Sequence, residues 1–268
     1  MLDRILHKLR AEKLSDTSVL IREAASFPRY KERTFSFRNY TLRVTDFISV
    51  AYQLQEYFED ERLKFASSRP DPVIIDCGSN VGVSVLYFKS LFPKARILAF
   101  EPDPKVFACL EENLKKNSVT NTAIEKKAVW INDEGIEFGS EGADGGSVHF
   151  SGNKISVPTV SLKNILRQEN TVDLLKMDIE GAELEVLQDC AEQLQKVNFL
   201  FVEYHSWIKN QQELDKLLAV LSKNGFRYYI HSIGNHAKQP FLESDSQNGM
   251  DIQLDIYAVN ERIKDLGL

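Results

Sequence analysis

From Val73 onward the sequence keeps one rhythm, and that rhythm leaves few folds open. Apolar, β-branched runs read as strands over Val73–Asp76, Arg96–Glu101, Thr122–Val129, Val172–Asp178, Asn198–His205, Phe226–His231 and Ile252–Val259. Helix-period runs separate most of them, at Val83–Leu91, Pro104–Asn117, Ala182–Leu194 and Gln212–Asn224. Strands that alternate with helices must be covered on both faces, which predicts an α/β, Rossmann-like fold built on a mostly parallel seven-stranded sheet. No convincing helix divides the last two runs, so a closing antiparallel pair is expected. Gly139–Ser147, "GSEGADGGS", is the loosest stretch and reads as a mobile loop over the sheet.

Residues 1–70 have a different character and read as a small N-terminal extension to a domain at 71–268. "MLDRILHKLRAEKL" mixes Leu and Ile with charges of both signs, the pattern of a short amphipathic helix and not of a signal peptide. Arg33–Val44 alternates like a hairpin, and "SVAYQLQEYFEDERLKF" follows as an aromatic-rich helix. Arg69-Pro70-Asp71-Pro72 then stops the helical pattern, since proline biases its predecessor toward extended backbone. The aromatics Tyr40, Phe47, Tyr52, Tyr57 and Phe58 are candidates for a lid or acceptor pocket, although at helical spacing such rings more often fill a core.

Composition narrows the function. A net charge of −6 opposes a general phosphate-backbone binder, so no nucleic-acid partner is expected. Cys77, Cys109 and Cys190 are far apart and odd in number, without a zinc-like spacing, and read as reduced thiols of a cytoplasmic protein. No run approaches the roughly 20 apolar residues of a membrane span, so no integral membrane segment is expected.

Ligands of an open parallel sheet sit beyond the carboxyl ends of its strands, and there the sequence places acids: Asp76, Glu101, Asp178 and Glu203. The first strand runs into Asp76-Cys77-Gly78-Ser79-Asn80-Val81-Gly82, a D-x-G-x-x-x-G loop. Gly78 permits a positive φ, and Gly82 permits close helix–strand approach. A dinucleotide site would prefer G-x-G-x-x-G, whose middle glycine is Asn80 here, and Asp76 would repel pyrophosphate while suiting an ammonium, directly or through water. Glu101 suits the two hydroxyls of a ribose. Pro102 and Asp103 turn the chain, with Asp103 as the cap of the next helix. Loop and acid together fit S-adenosylmethionine.

Two later stretches supply the chemistry. In "LLKMDIEGAELEVL", Asp178 ends a strand, Gly181 permits a sharp turn, and Glu180 and Glu183 share one face of a helix start. The bland reading of the two glutamates is that they favour a helix N-terminus. In "FVEYHS", Glu203 and His205 project from one face of an extended segment, and a carboxylate beside an imidazole can orient it as a proton acceptor. Neither His7, His149, His231 nor His236 has a comparable setting. The rival chemistry is Mg²⁺ held by Asp178 and Glu203, since hard ions take oxygen ligands.

"IIDCGSNVGVSVLYFK", "AFEPDP", "LLKMDIEGAELEVL" and "FVEYHS", in this order, resemble the FkbM family of S-adenosylmethionine-dependent methyltransferases over about Val73 to Ile230. The resemblance implies a class I methyltransferase fold and O-methylation of a sugar, glycan or small-molecule hydroxyl. By position it implies that Asp76, Gly78, Ser79, Asn80, Gly82, Glu101, Pro102, Asp103 and Asp178 hold the cofactor, with Ala128 near the adenine. It sets Asp178, Glu180, Glu203 and His205 at the methyl-transfer end. Relatives often carry an acid where this chain has Lys163 in "TVSLKN". A dehydrogenase would need the missing G-x-G-x-x-G. A nucleic-acid methyltransferase would more often carry a proline-aromatic loop where this chain reads "DIEG". A non-catalytic binder, or a natural-product or lipid acceptor, stands as the alternative.

Overall fold

The computed structural model describes residues 15–139, 154–233, 239, 241–242 and 249–263. The expected helix within residues 1–14, most of the Gly139–Ser147 stretch, and His7, His149 and His236 lie outside the described residues. The elements are α1 (Asp16–Ala24), β1 (Arg33–Phe37), β2 (Tyr40–Val44), α2 (Phe47–Phe58), β3 (Val73–Cys77), α3 (Val83–Leu91), β4 (Arg96–Phe100), α4 (Pro104–Lys116) and β5 (Thr122–Glu125). There follow β6 (Ala128–Trp130), β7 (Ile136–Gly139), β8 (Lys154–Val157), β9 (Thr159–Ser161), α5 (Leu162–Gln168), β10 (Val172–Met177) and α6 (Glu183–Asp189). A 3₁₀ turn (Ala191–Lys196) leads into β11 (Val197–Trp207), α7 (Leu214–Lys223), β12 (Phe226–Ser232) and β13 (Met250–Asn260).

The main sheet has seven strands in the order β12-β13-β11-β10-β3-β4-β5. The five from β11 to β5 are parallel to their neighbours, and β13 runs antiparallel to both β11 and β12. This is the expected Rossmann-like sheet of a class I methyltransferase, closing antiparallel pair included. Every residue of β3 and β10 is buried, as central strands covered on both faces require. Strand order reverses between these two, so their carboxyl ends open the crevice in which such sheets bind ligands.

The Thr122–Val129 run divides in the structure. After three successive charges, Glu125 to Lys127, the chain leaves the sheet edge, and β6 pairs in parallel with β9 instead. The Ala182–Leu194 run also divides, at the buried Cys190, into α6 and the 3₁₀ turn. Helix α5, capped where Ser161 Oγ accepts the Asn164 N–H, was not anticipated from the sequence.

The described residues of the N-terminal extension share their core with the main sheet. Phe35, Phe37, Leu42, Val44, Phe47 and Leu54 belong to one apolar cluster with Val85, Ile97, Leu110 and Phe201 of the sheet and its helices. Asn113 of α4 fastens the join: its Oδ1 accepts the Arg43 N–H at 2.6 Å, and its Nδ2 donates to Arg43 O at 2.8 Å and Val81 O at 2.9 Å. The opposite face is closed by α5, α6 and α7 over Phe100, Leu175 and Leu200. Among the described residues, no helix is long and apolar enough to cross a membrane.

Phe47 is 1% exposed, packs against the rings of Phe27 and Phe35, and carries the Arg33 guanidinium 4.3 Å over its face. Phe47→Ala is expected to lower the unfolding free energy by about 3–5 kcal/mol in urea denaturation. Because the cluster is shared, one transition should shift as a whole; an early, separate loss of the extension would contradict the shared core.

Candidate active site

The loop after β3 is held by its own backbone and by its neighbour. Gly78 and Ser79 both donate their N–H to Phe100 O, at 3.1 and 2.8 Å, and Gly82 N–H donates to Ser79 O at 2.9 Å. Gly78 has φ +83°, and a Cβ there would sit 1.8 Å from Asp178 O, so the loop lies directly against the end of β10. Gly82, at φ +94°, starts α3 where a Cβ would meet Leu110 at 2.7 Å. Both glycines are therefore dictated by backbone and packing together. Ser79 Oγ donates to Asp76 O at 3.0 Å, and Asn80, itself at φ +47°, caps Val81 N–H through Oδ1.

Glu101 closes the loop from β4. Its Oε2 accepts the Asn80 N–H at 3.0 Å and its Oε1 the Asp103 N–H at 2.9 Å. Each carboxylate oxygen keeps a second lone pair, the arrangement a pair of vicinal hydroxyls requires. Burial pushes the Glu101 carboxyl up to about 8. Asp103 caps α4 as expected, accepting from the Lys105 and Val106 N–H groups, while Pro102 is half-buried in the turn. Ala128 lies beyond the end of β5, in β6, its N–H donating to Pro158 O at 2.9 Å.

Asp76 lies beneath the loop, not in its mouth. It is fully buried, accepts Ser84 Oγ–H at 2.5 Å, and has Lys176 Nζ 3.3 Å from Oδ1. The ammonium that Asp76 meets is thus the protein's own. Lys176, 1% exposed, also donates to Gly78 O at 2.8 Å and to Asp178 Oδ2 at 3.4 Å. Burial alone would lower its pKa; Asp76, Asp178 and Glu203 outweigh that and hold it charged. Lys176 stands in "LLKMDIEGAELEVL", where its neighbours in sequence give it no evident role. A lysine flanked by Leu174, Leu175 and Met177 in a strand-like run is the signal for it.

The mouth itself is assembled from two strand ends and a strained turn. After β10 the chain passes through Glu180 at φ +57° and Gly181 at φ +99°. Glu183 clamps this turn, its Oε1 accepting the N–H groups of Ile179 at 3.2 Å and Gly181 at 3.0 Å. The same oxygen lies 3.2 Å from His205 Nδ1. The carboxylate that orients His205 is therefore Glu183, which the sequence offered only as a helix-start residue. With Nδ1 taken, Nε2 faces Glu203 Oε1 at 3.5 Å and Glu180 Oε2 at 3.6 Å. Neither contact closes as a hydrogen bond, and Nε2 is buried without a hydrogen-bond partner. Asp178, Glu180, Glu203 and His205, expected together, are brought together.

Further carboxylates crowd the same place. Glu56 of α2 and Asp255 of β13 are each raised to about 7, by burial first and then by Glu203 among other acids, against the pull of Arg62. Asp178 is also raised, by burial and by Glu203. Burial would lower the His205 pKa, but Glu180, Glu183 and Glu203 reverse the sign and favour the imidazolium. Burial would likewise raise Glu203, but His205 and Gln253 hold it low. Such a site has excess negative capacity that a cation relieves.

These shifts fix a pH dependence. Glu101, Glu56 and Asp255 keep protons in the folded chain that the unfolded chain releases near its ordinary values of 4.5 and 3.8. Their contribution to stability is complete below those unfolded values and is lost as pH rises through 7 to 8. The melting temperature of the ligand-free protein should fall between about pH 5 and pH 8, read by calorimetry. A rise over that window would overturn the electrostatic description.

Comparison with known proteins agrees with this geometry. A family model described as the methyltransferase FkbM domain matches residues 76–228. The chain is similar to methyltransferase sdnD of Sordaria araneosa, 29% identical over 54% of this chain and 71% of the relative. It is similar to the 2-O-methyltransferase NoeI of Sinorhizobium fredii, 29% identical over 59% of this chain and 77% of the relative. A hexuronic acid methyltransferase, AglP of Haloferax volcanii, is 29% identical over 59% of this chain and 66% of the relative. The matched span is more than half of the chain and holds the glycine loop, Glu101, Lys176, Glu183 and His205: the protein belongs to the FkbM family of S-adenosylmethionine-dependent methyltransferases.

Proposed function

We propose that this enzyme O-methylates a hydroxyl of a sugar or glycan at the mouth between β10 and β11. One observation carries the reading: Glu183 holds His205 by Nδ1 and leaves Nε2 pointing among Asp178, Glu180 and Glu203, beside the glycine loop. Bound S-adenosylmethionine supplies an already activated methyl group, so the protein has to align the acceptor and receive its proton. The loop and Glu101 hold the nucleoside, Glu101 through the lone pairs its two backbone contacts leave over. Asp76 acts from below, fixing Lys176 and through it Gly78 and Asp178. The acid-imidazole cluster stabilises positive charge at the sulfur, and that charge lowers the imidazole pKa so that Nε2 gives up its own proton to the cluster and becomes free to accept the hydroxyl proton.

The acceptor class is supported by the relatives whose names specify 2-O-methylation and hexuronic acid methylation. The surface leading to the cluster suits a sugar. Phe201, Tyr257 and Tyr229 stand opposite one another across β11, β13 and β12, one row below Glu203, Asp255 and His231. Tyr229 is exposed, and its ring lies 6.5 Å from Tyr257. Phe201 is buried beneath, so the exposed Tyr229 and the partly buried Tyr257 are the rings that offer a flat face for stacking, with carboxylates at the inner end for hydroxyl contacts. From the N-terminal extension, Glu56 and Arg62 reach the same corner, Arg62 lying 3.5 Å from Asp255, so residues 15–70 roof the acceptor side. A nucleic-acid backbone would face this acidic mouth at a disadvantage, in keeping with the net charge of −6.

Incubation with methyl-labelled S-adenosylmethionine and purified oligosaccharides should give methylated sugar. Mass spectrometry of glycans from cells with and without the gene should show one methyl group lost. His205→Ala should reduce turnover by about 10²–10⁴-fold while S-adenosylhomocysteine affinity, read by calorimetry, stays within a few-fold. Full turnover in that variant would remove His205 from the chemistry, and transfer confined to non-sugar acceptors would overturn the acceptor class.

A further inference from the structure

We propose that Asp178, Glu203 and His205 form a binding site for a divalent transition-metal ion of the Mn²⁺ type. One donor atom from each residue lies within 4.8 Å of the other two. An ion with bonds of about 2.0–2.3 Å separates its ligands by roughly 3–4.5 Å, a spacing that donors within 4.8 Å of one another reach by side-chain adjustment. Carboxylates are common at strand ends, and their proximity alone would carry nothing. The imidazole makes the difference. Its side chain is 1% exposed, and its Nε2, buried without a hydrogen-bond partner, lies 3.5 Å from Glu203 Oε1, where an ion would displace the proton the nitrogen carries.

The far side of the ring supports the same assignment. Metal-ligating histidines almost always donate the other ring N–H to a carboxylate or carbonyl, which fixes the tautomer and turns the donor nitrogen toward the ion. Glu183 does this here at 3.2 Å, and it is itself immobilised by two backbone N–H groups. Gln253 holds Glu203 in turn. The ligand set is thus supported from behind at two of its three members, and Asp178 is held by Lys176. Two carboxylates and one imidazole on neighbouring strand ends leave coordination positions open toward the crevice. The nitrogen donor favours Mn²⁺, Fe²⁺ or Co²⁺ over Mg²⁺, which prefers an oxygen shell.

The role of the ion rests on the proposed O-methylation; its binding does not. An acceptor hydroxyl entering an open position would become a ligand and lose its proton more readily, the proton passing to Glu180, which stays outside the ligand set. His205 then serves as a ligand in the loaded enzyme and as the proton acceptor only in the ion-free one.

The test titrates MnCl₂ alone into the full chain, without S-adenosylmethionine or acceptor, and reads free Mn²⁺ by electron paramagnetic resonance. One equivalent should bind, and a nitrogen coupling from the imidazole should appear in the spin-echo spectrum. Glu203→Gln should weaken binding by at least about 10-fold, and Glu183→Gln, which touches no ion, by about 10–100-fold. Thermal melting of each variant without metal checks that it is folded. Equal Mn²⁺ affinity in the parent and Glu203→Gln, or absence of the nitrogen coupling, overturns the site. S-adenosylhomocysteine binding and methyl transfer measured in EDTA report separately on the methyltransferase reading, so the two fail independently.

Discussion

The ammonium of Lys176 is buried at the centre of the sheet, and the catalytic end is organised around it. It reaches Asp76 under the first loop, the carbonyl of Gly78 in the loop, and Asp178 at the tip of the adjoining strand. Lys176 and Asp76 are register partners across the β3–β10 pair, so the contact is set by strand pairing and not by a flexible reach. Breaking a buried pair by removing one partner typically costs about 3–5 kcal/mol, because the other charge is left without compensation. Here it would also release Asp178, which Lys176 holds at the tip of the strand.

Above this anchor the protein tolerates an arrangement that folding alone would avoid. Glu56, Asp178, Glu180, Glu203 and Asp255 converge on a corner where Arg62, Lys176 and His205 balance part of their charge. Glu180 occupies a left-handed backbone conformation in the turn that Glu183 clamps. Strain and charge crowding of this kind gather at functional sites because the surrounding structure holds them there. In this chain the holding is done by two fully covered strands, β3 and β10, and by a helix from the extension.

Much of this was legible in the sequence, for identifiable reasons. Central strands of a parallel sheet are rich in apolar residues, so β3, β10 and β11 stand out despite the charges they carry, and Gly78 and Gly82 mark where backbone must turn and approach a neighbour. The acids at strand ends follow from strand geometry. What stayed hidden depends on contacts between distant segments. Glu183 looks like an ordinary first-turn glutamate until β11 brings His205 beside it, 22 residues later. Asp76 looks like a ligand-facing acid until register sets Lys176 against it. The small pairs β6–β9 and β7–β8 are too short to show periodicity above their surroundings.

The antiparallel strand β13 has a consequence for how the molecule is made. It is inserted between β11 and β12, both of which precede it in the chain, and it is the only sheet neighbour of β12 among the described residues. During synthesis β11 and β12 therefore leave the ribosome with facing edges unpaired, and they stay so until the chain has been made through Asn260. Glu203 and His205 are on one of those edges, opposite Asp255 and Gln253. The acidic mouth is thus walled only by the last strand of the sheet, so a nascent chain holds the glycine loop and Glu101 in place before the corner around Glu203 and His205 is closed.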